Sequence, residues 1–216
     1  LHIADCDDQE IQQFLWVAFS DVVRTVSNRR SGEFKMFRRP ANSLETYSPD
    51  TFREFTTKVM ANMEKMAEFS ERLEQLGKSS EVHISDNDAR SLDYVPDNSI
   101  DLLITSPPYG DSRTTVAYGE FSRVSLQWLE IDGLAQESIP SIDRSLMGGA
   151  KYRNGFEMTL DSETLRSSLA KISGEDVERA GDVFSFYEDL DDVIRSTARK
   201  MRSGGYQFWA VGNRTV

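Results

Sequence analysis

Residues 99–109 read S-I-D-L-L-I-T-S-P-P-Y. Ile100, Leu102, Leu103 and Ile104 form a short apolar run, the pattern of a buried parallel strand. The run stops abruptly at Thr105-Ser106-Pro107-Pro108-Tyr109. A strand that empties into a stiff, polar and aromatic tip is where an open α/β sheet puts its ligand. Both prolines have fixed φ and lack an N–H, and each restrains the residue before it. The tip therefore holds a hydroxyl and backbone carbonyls at fixed positions and presents the flat ring of Tyr109. Acceptors beside a stacking surface suit a planar base with an exocyclic amino group. Such a nitrogen is a poor nucleophile because its lone pair is delocalised into the ring. Two acceptors gripping its hydrogens favour a pyramidal nitrogen and release the lone pair for attack.

T-S-P-P-Y after an apolar strand resembles motif IV of the S-adenosylmethionine-dependent DNA amino-methyltransferases, the N4-cytosine/N6-adenine family. The serine form of that motif is typical of the cytosine enzymes. The resemblance implies a catalytic tip of Ser106, Pro107, Pro108 and Tyr109, with S-adenosylmethionine as methyl donor and double-stranded DNA as substrate. It also implies a restriction-modification setting with a cognate endonuclease as partner. A proline-rich turn is the plainer reading, but the strand before it argues against a disordered ligand.

Over 216 residues the net charge is −11, wrong for holding nucleic acid through the overall field, so any DNA surface must be local. One cysteine excludes an intramolecular disulfide and a cysteine-rich zinc site, and two histidines make a histidine-based centre improbable. No apolar run is long enough to span a membrane and no signal peptide is evident, so a cytoplasmic protein is expected. The start at Leu1 rather than Met suggests a fragment or processed chain.

Ile11, Phe14, Leu15, Ala18, Val22 and Val26 recur at helical spacing and predict a helix over 9–27. Arg24, Arg29, Arg30, Lys35, Arg38 and Arg39 come next, interleaved with Phe34, Met36 and Phe37. Arg29, Arg30, Arg38 and Arg39 are the candidate DNA-backbone contacts, against the alternative of a solvated basic loop. Ser48-Pro49 predicts the start of a long helix that ends at Gly77. Its stripe from Phe52 to Leu76 suits helix packing, or a short coiled-coil dimer contact.

Residues 81–86 alternate as a strand. Asp88 resembles the motif III carboxylate that receives the cofactor's adenine amino group, with Asp86 the fallback and a helix cap the plainer role. A helix is expected over 118–130 and an irregular insertion over 131–160, where Arg144, Lys151, Tyr152 and Arg153 form a second candidate DNA-facing loop. Helices are predicted over 161–171 and 174–202, the second stopped by Gly204-Gly205, with a strand over 206–211. In the family, motif IV is succeeded by a helix, a Gly-Gly turn and a strand ending in V-G-N or V-G-D, and residues 190–214 resemble that order. The expected organisation is a helical region over 1–80 and a partial catalytic domain over 81–216. The expected fold is α/β: an incomplete Rossmann-like methyltransferase sheet with a large helical insertion. The family's glycine-rich cofactor loop is missing, since no G-x-G occurs in the chain. Rival readings are an N6-adenine enzyme, an enzyme acting on RNA or on protein glutamine, and a non-catalytic helical binding or dimerisation module with a relic site.

Overall fold

A computed structural model describes residues 3–30, 36–77, 79–108, 118–129, 134–149, 152 and 155–212. The elements run α1 (Gln9–Thr25), α2 (Ala41–Leu44), α3 (Thr51–Leu76), β1 (Ile100–Thr105), α4 (Tyr118–Leu129), α5 (Ile142–Ser145), α6 (Glu163–Glu175), α7 (Val177–Lys200) and β2 (Met201–Trp209). Short 3-10 segments occupy Ile3–Asp5 and Gln136–Ser141. The chain divides into two units, Leu1–Ile84 with Gly119–Pro140, and Ser85–Tyr118 with Ser141–Val216.

In the first unit α1 starts where the Asp8 carboxylate accepts from the Glu10 and Ile11 amides. Its inward face buries Ala18 and Val22, one turn apart. α3 is capped by Asp50, which accepts from the Arg53 amide, and not by Ser48 as the sequence suggests. Asp50 stands three residues before that orphan donor, while Ser48 and Pro49 lie outside the helix. Gly77 closes α3 in the left-handed region at φ 59°, as expected of a C-terminal glycine. The N-terminal half of α3 packs on α1, where Lys58 pairs with Asp21. Ser125 of α4 donates to the Ser20 carbonyl at 2.6 Å. Trp16, Phe19, Phe55 and Trp128 line an apolar cavity of about 560 Å³ among these helices.

In the second unit α6 and α7 are joined by Asp176. Its N–H donates to the Ile172 carbonyl and ends one helix, and its carboxylate accepts from the Arg179 amide and begins the next. α7 carries most of this unit's interior: Ala180, Phe184 and Val193 are buried at helical spacing. Phe184 is fully buried and stacks on Phe156 at 4.6 Å between ring centroids.

β1 and β2 pair in parallel, with Leu102 opposite Tyr206, Ile104 opposite Phe208 and Thr105 opposite Trp209. α7 runs directly into β2, so Gly204-Gly205 do not stop the helix as predicted. They lie inside the strand, where the register slips between Ile100↔Met201 and Leu102↔Tyr206. The extra residues opposite Asp101 must turn tightly. Gly204 takes φ 84°, and a Cβ on Gly205 would stand 3.0 Å from the Asp101 carbonyl oxygen.

Two strand expectations need correction. Residues 81–86 form no strand, and Val82 and Ile84 are exposed. Alternation alone does not satisfy a strand's backbone; a neighbouring ladder must. β1 is a strand but is not buried on both faces: Leu102, Ile104, Tyr206 and Phe208 share one face and are 53%, 73%, 68% and 57% exposed.

Candidate active site

The parallel ladder continues one step past the end of β1, where the Ala210 amide donates to the Thr105 carbonyl at 2.9 Å. Ser106 is next, and its hydroxyl donates to the Ala210 carbonyl at 3.2 Å. Ser106 is exposed, Pro107 is buried and Pro108 is half-buried. The tip thus stands at the carboxyl edge of both strands, anchored from below by proline and from the side by the chain leaving β2. Tyr109 and the polar loop to residue 117 lie outside the described residues.

Asp88 sits in a turn, at neither a strand end nor a helix N-cap. Its Oδ1 accepts from the Arg90 amide at 2.9 Å, and both its oxygens accept from the Arg90 guanidinium at 2.5–3.0 Å. Arg90 also reaches Asp189 Oδ1 through Nη1 at 3.0 Å. Asp189 is fully buried on α7, and its second oxygen accepts from the Gly148 amide at 2.9 Å. The hydrogen bond to Asp88 holds the Arg90 guanidinium protonated more firmly than usual; burial opposes this and Asp189 adds to it. Asp86 is exposed in the same stretch.

Neither Arg90 nor Asp189 is singled out by the sequence reading, which takes the acids of α7 as a solvated face. The signal was spacing: Asp189 lies four residues from both Ser185 and Val193, on the inward stripe. The same stripe anchors part of the segment expected to be an irregular insertion. Ser185 Oγ donates to the Gly149 carbonyl at 2.9 Å, and the Tyr152 hydroxyl donates to Glu188 at 2.9 Å. Burial, and then Glu188, pushes the Tyr152 phenol up.

The four arginines of the first unit part company. Residues 28–30 pair with 37–39: the Arg30 amide donates to the Phe37 carbonyl at 2.8 Å and the Arg39 amide to the Asn28 carbonyl at 2.9 Å. Arg30 and Arg38 are exposed. Arg29 is buried, its Nε donates to the Arg24 carbonyl at 3.1 Å, and its guanidinium lies 5.7 Å from the Phe121 ring centroid. Burial, then the charge of Arg24, lowers its pKa. Arg39 lies over the Tyr47 ring at 3.9 Å. Arg144 is exposed, whereas Lys151 and Arg153 lie outside the described residues.

Among the described residues no group of three His, Cys, Asp or Glu side chains could hold a metal ion, and no helix is long and apolar enough to cross a membrane. No protein-family model and no solved structure matches the chain. One curated protein aligns along nearly all of it. The chain is similar to a type II methyltransferase. That relative, M.MvaI of Kocuria varians, is 39% identical over 215 residues, covering 97% of this chain. The chain spans about half the length of the relative, 47% of it. The resemblance drawn from S-P-P-Y and its flanks therefore extends to the sequence as a whole, as resemblance to part of such an enzyme.

Proposed function

We propose that this chain carries the substrate half of a cytoplasmic DNA methyltransferase that moves a methyl group to the N4 amino group of a flipped cytosine in a restriction-modification system. The observation that carries the reading is the exposed Ser106 between a buried Pro107 and the Ala210 carbonyl, at the carboxyl edge of a parallel strand pair. Similarity to a type II methyltransferase along nearly the whole chain supports it. β1 and β2 would be two strands of a larger Rossmann-like sheet, and their exposed apolar face favours further cover. The proposed organisation keeps residues 81–216 as the partial catalytic domain and 1–80 as the helical region.

The target base must leave the duplex stack to reach such a tip. Tyr109 stacks on it. Ser106 Oγ, oriented by donating its own hydrogen to Ala210, and the Pro107 carbonyl accept the two amino hydrogens. That grip frees the nitrogen lone pair, and the proton lost from the amino group on methylation passes to solvent. Pro108 holds the turn. The rate gain comes from positioning and fixed dipoles.

The methyl donor implied is S-adenosylmethionine, but the residues here fit it incompletely. Both carboxylate oxygens of Asp88 already accept from Arg90, and an adenine amino group there would displace that contact. DNA phosphates would meet Arg30 and Arg38, with Arg29 and Arg39 bracing the same segment from inside and Arg153 contributing from the second loop. A cognate endonuclease is the expected partner.

The test is transfer of labelled methyl into host DNA by the whole protein. Ser106→Ala and Tyr109→Ala should each cut transfer at least about 100-fold. Undiminished transfer by either variant refutes the assignment. Nucleoside analysis of the product decides between N4-methylcytosine and N6-methyladenine. No methyl transfer and no cofactor binding by the whole protein would leave the binding-module reading.

A further inference from the structure

α3 carries a heptad seam along its whole length. Phe52, Val59, Met66 and Leu73 recur every seven residues, as do Phe55, Asn62, Phe69 and Leu76 three positions later. The N-terminal half of this seam faces α1, through Phe55, Lys58 and Asn62. The C-terminal half stands open: Met63, Met66, Phe69 and Leu76 are 52%, 55%, 61% and 66% exposed. A globular surface rarely leaves such a row uncovered.

We infer that the open half of α3 is a dimer seam, and that its occupant is α3 of a second copy, parallel and in register. The flanking residues select this arrangement. On one edge of the seam stand Lys58, Lys65 and Arg72, all basic; on the other stand Thr56, Met63 and Ser70, all uncharged. In a parallel pair each basic edge meets the uncharged edge of its partner: in the open half Lys65 faces Ser70. The lysine stems then cover apolar surface while their ammonium groups stay in water. An antiparallel pair would set Lys65 against Arg72 twice over, two like-charge contacts.

The open half offers four large exposed apolar side chains, on the order of 400–500 Å² per copy, the size of a weak, transient contact. A contact of that size makes the dimer reversible.

Sedimentation of the whole protein over a range of concentrations should show a monomer–dimer equilibrium. Phe69→Glu should weaken it at least about 100-fold and leave far-ultraviolet helicity unchanged, because the side chain is already mostly exposed. In a Cys6→Ser background, Leu73→Cys should give a disulfide-linked dimer on mild oxidation, since only the parallel register brings the two copies of residue 73 together. A monomer at every concentration overturns the inference, as does a dimer that survives Phe69→Glu or fails to cross-link through Leu73→Cys. A monomer in which Phe69 is protected from solvent would show that the seam is covered within one chain, which also overturns it.

Discussion

Ser106 donates its hydroxyl hydrogen to the carbonyl of Ala210, 104 residues further along the chain. Nothing local to S-P-P-Y names that partner; the parallel ladder supplies it. Close approach decides other positions in the same way. A Cβ on Gly181 would stand 2.4 Å from the Tyr152 carbonyl oxygen, while one on Gly174 meets nothing within 4 Å. Gly181→Ala should therefore cost about 1–3 kcal/mol. Gly174→Ala, inside α6, should be neutral or gain up to about 1 kcal/mol from helix propensity. Denaturant unfolding of both variants separates steric fit from propensity.

Charge at single residues gives a pH dependence. Lys200 holds the Asp97 carboxyl below the usual range, chiefly through a 2.7 Å hydrogen bond, with Arg199 adding a little. A carboxyl depressed in the fold contributes stability that is present above its ordinary value, near pH 4, and is lost as pH falls through the folded value. Asp97→Asn should melt lower at neutral pH, and its melting temperature should fall less steeply on acidification. Thermal melts from neutral pH to about pH 3 test this, and parallel curves for variant and parent would contradict it.

At the level of elements, α7 joins the second unit together. It buries Phe184, holds Gly149 through Ser185, and fixes Arg90 and Gly148 through Asp189. Removing one member of a buried charged set leaves the others uncompensated. Asp189→Ala should cost about 3–5 kcal/mol, and Asp189→Asn less, because the amide oxygen still accepts one bond. Urea unfolding orders the two. The helices themselves were legible. α1, α3, α4, α6 and α7 all announce themselves by apolar spacing, and their ends are right to within a few residues. The strand at 81–86 was misread because period-two alternation states a preference and supplies no partner. The β2 glycines were misread because a helix stop and a strand bulge ask for the same residue type.

At the scale of the molecule, a chain of net charge −11 repels a polyanion, so DNA contact needs a local basic surface. The exposed pair Arg30 and Arg38 is that surface in the proposed function. Replacing both by glutamine should reduce the slope of log binding constant against log salt by roughly 2 while leaving methylation-site choice unchanged. Filter binding at several salt concentrations measures it. Substituting Arg29 should instead act through stability, because its guanidinium is buried beside Phe121.

By itself the sequence determined the helical segments, the central strand and the stiff Ser-Pro-Pro corner, because each depends on torsion and periodicity within a few residues. It also carried the resemblance to the methyltransferases, which rests on a local motif. Only the tertiary structure decided which arginines face solvent, that Asp88 is bound to Arg90, that Asp189 lies inside, and that one sheet face is open. Those outcomes turn on which distant groups meet, and a charge or an apolar side chain carries no record of its partner until the backbone brings the two together.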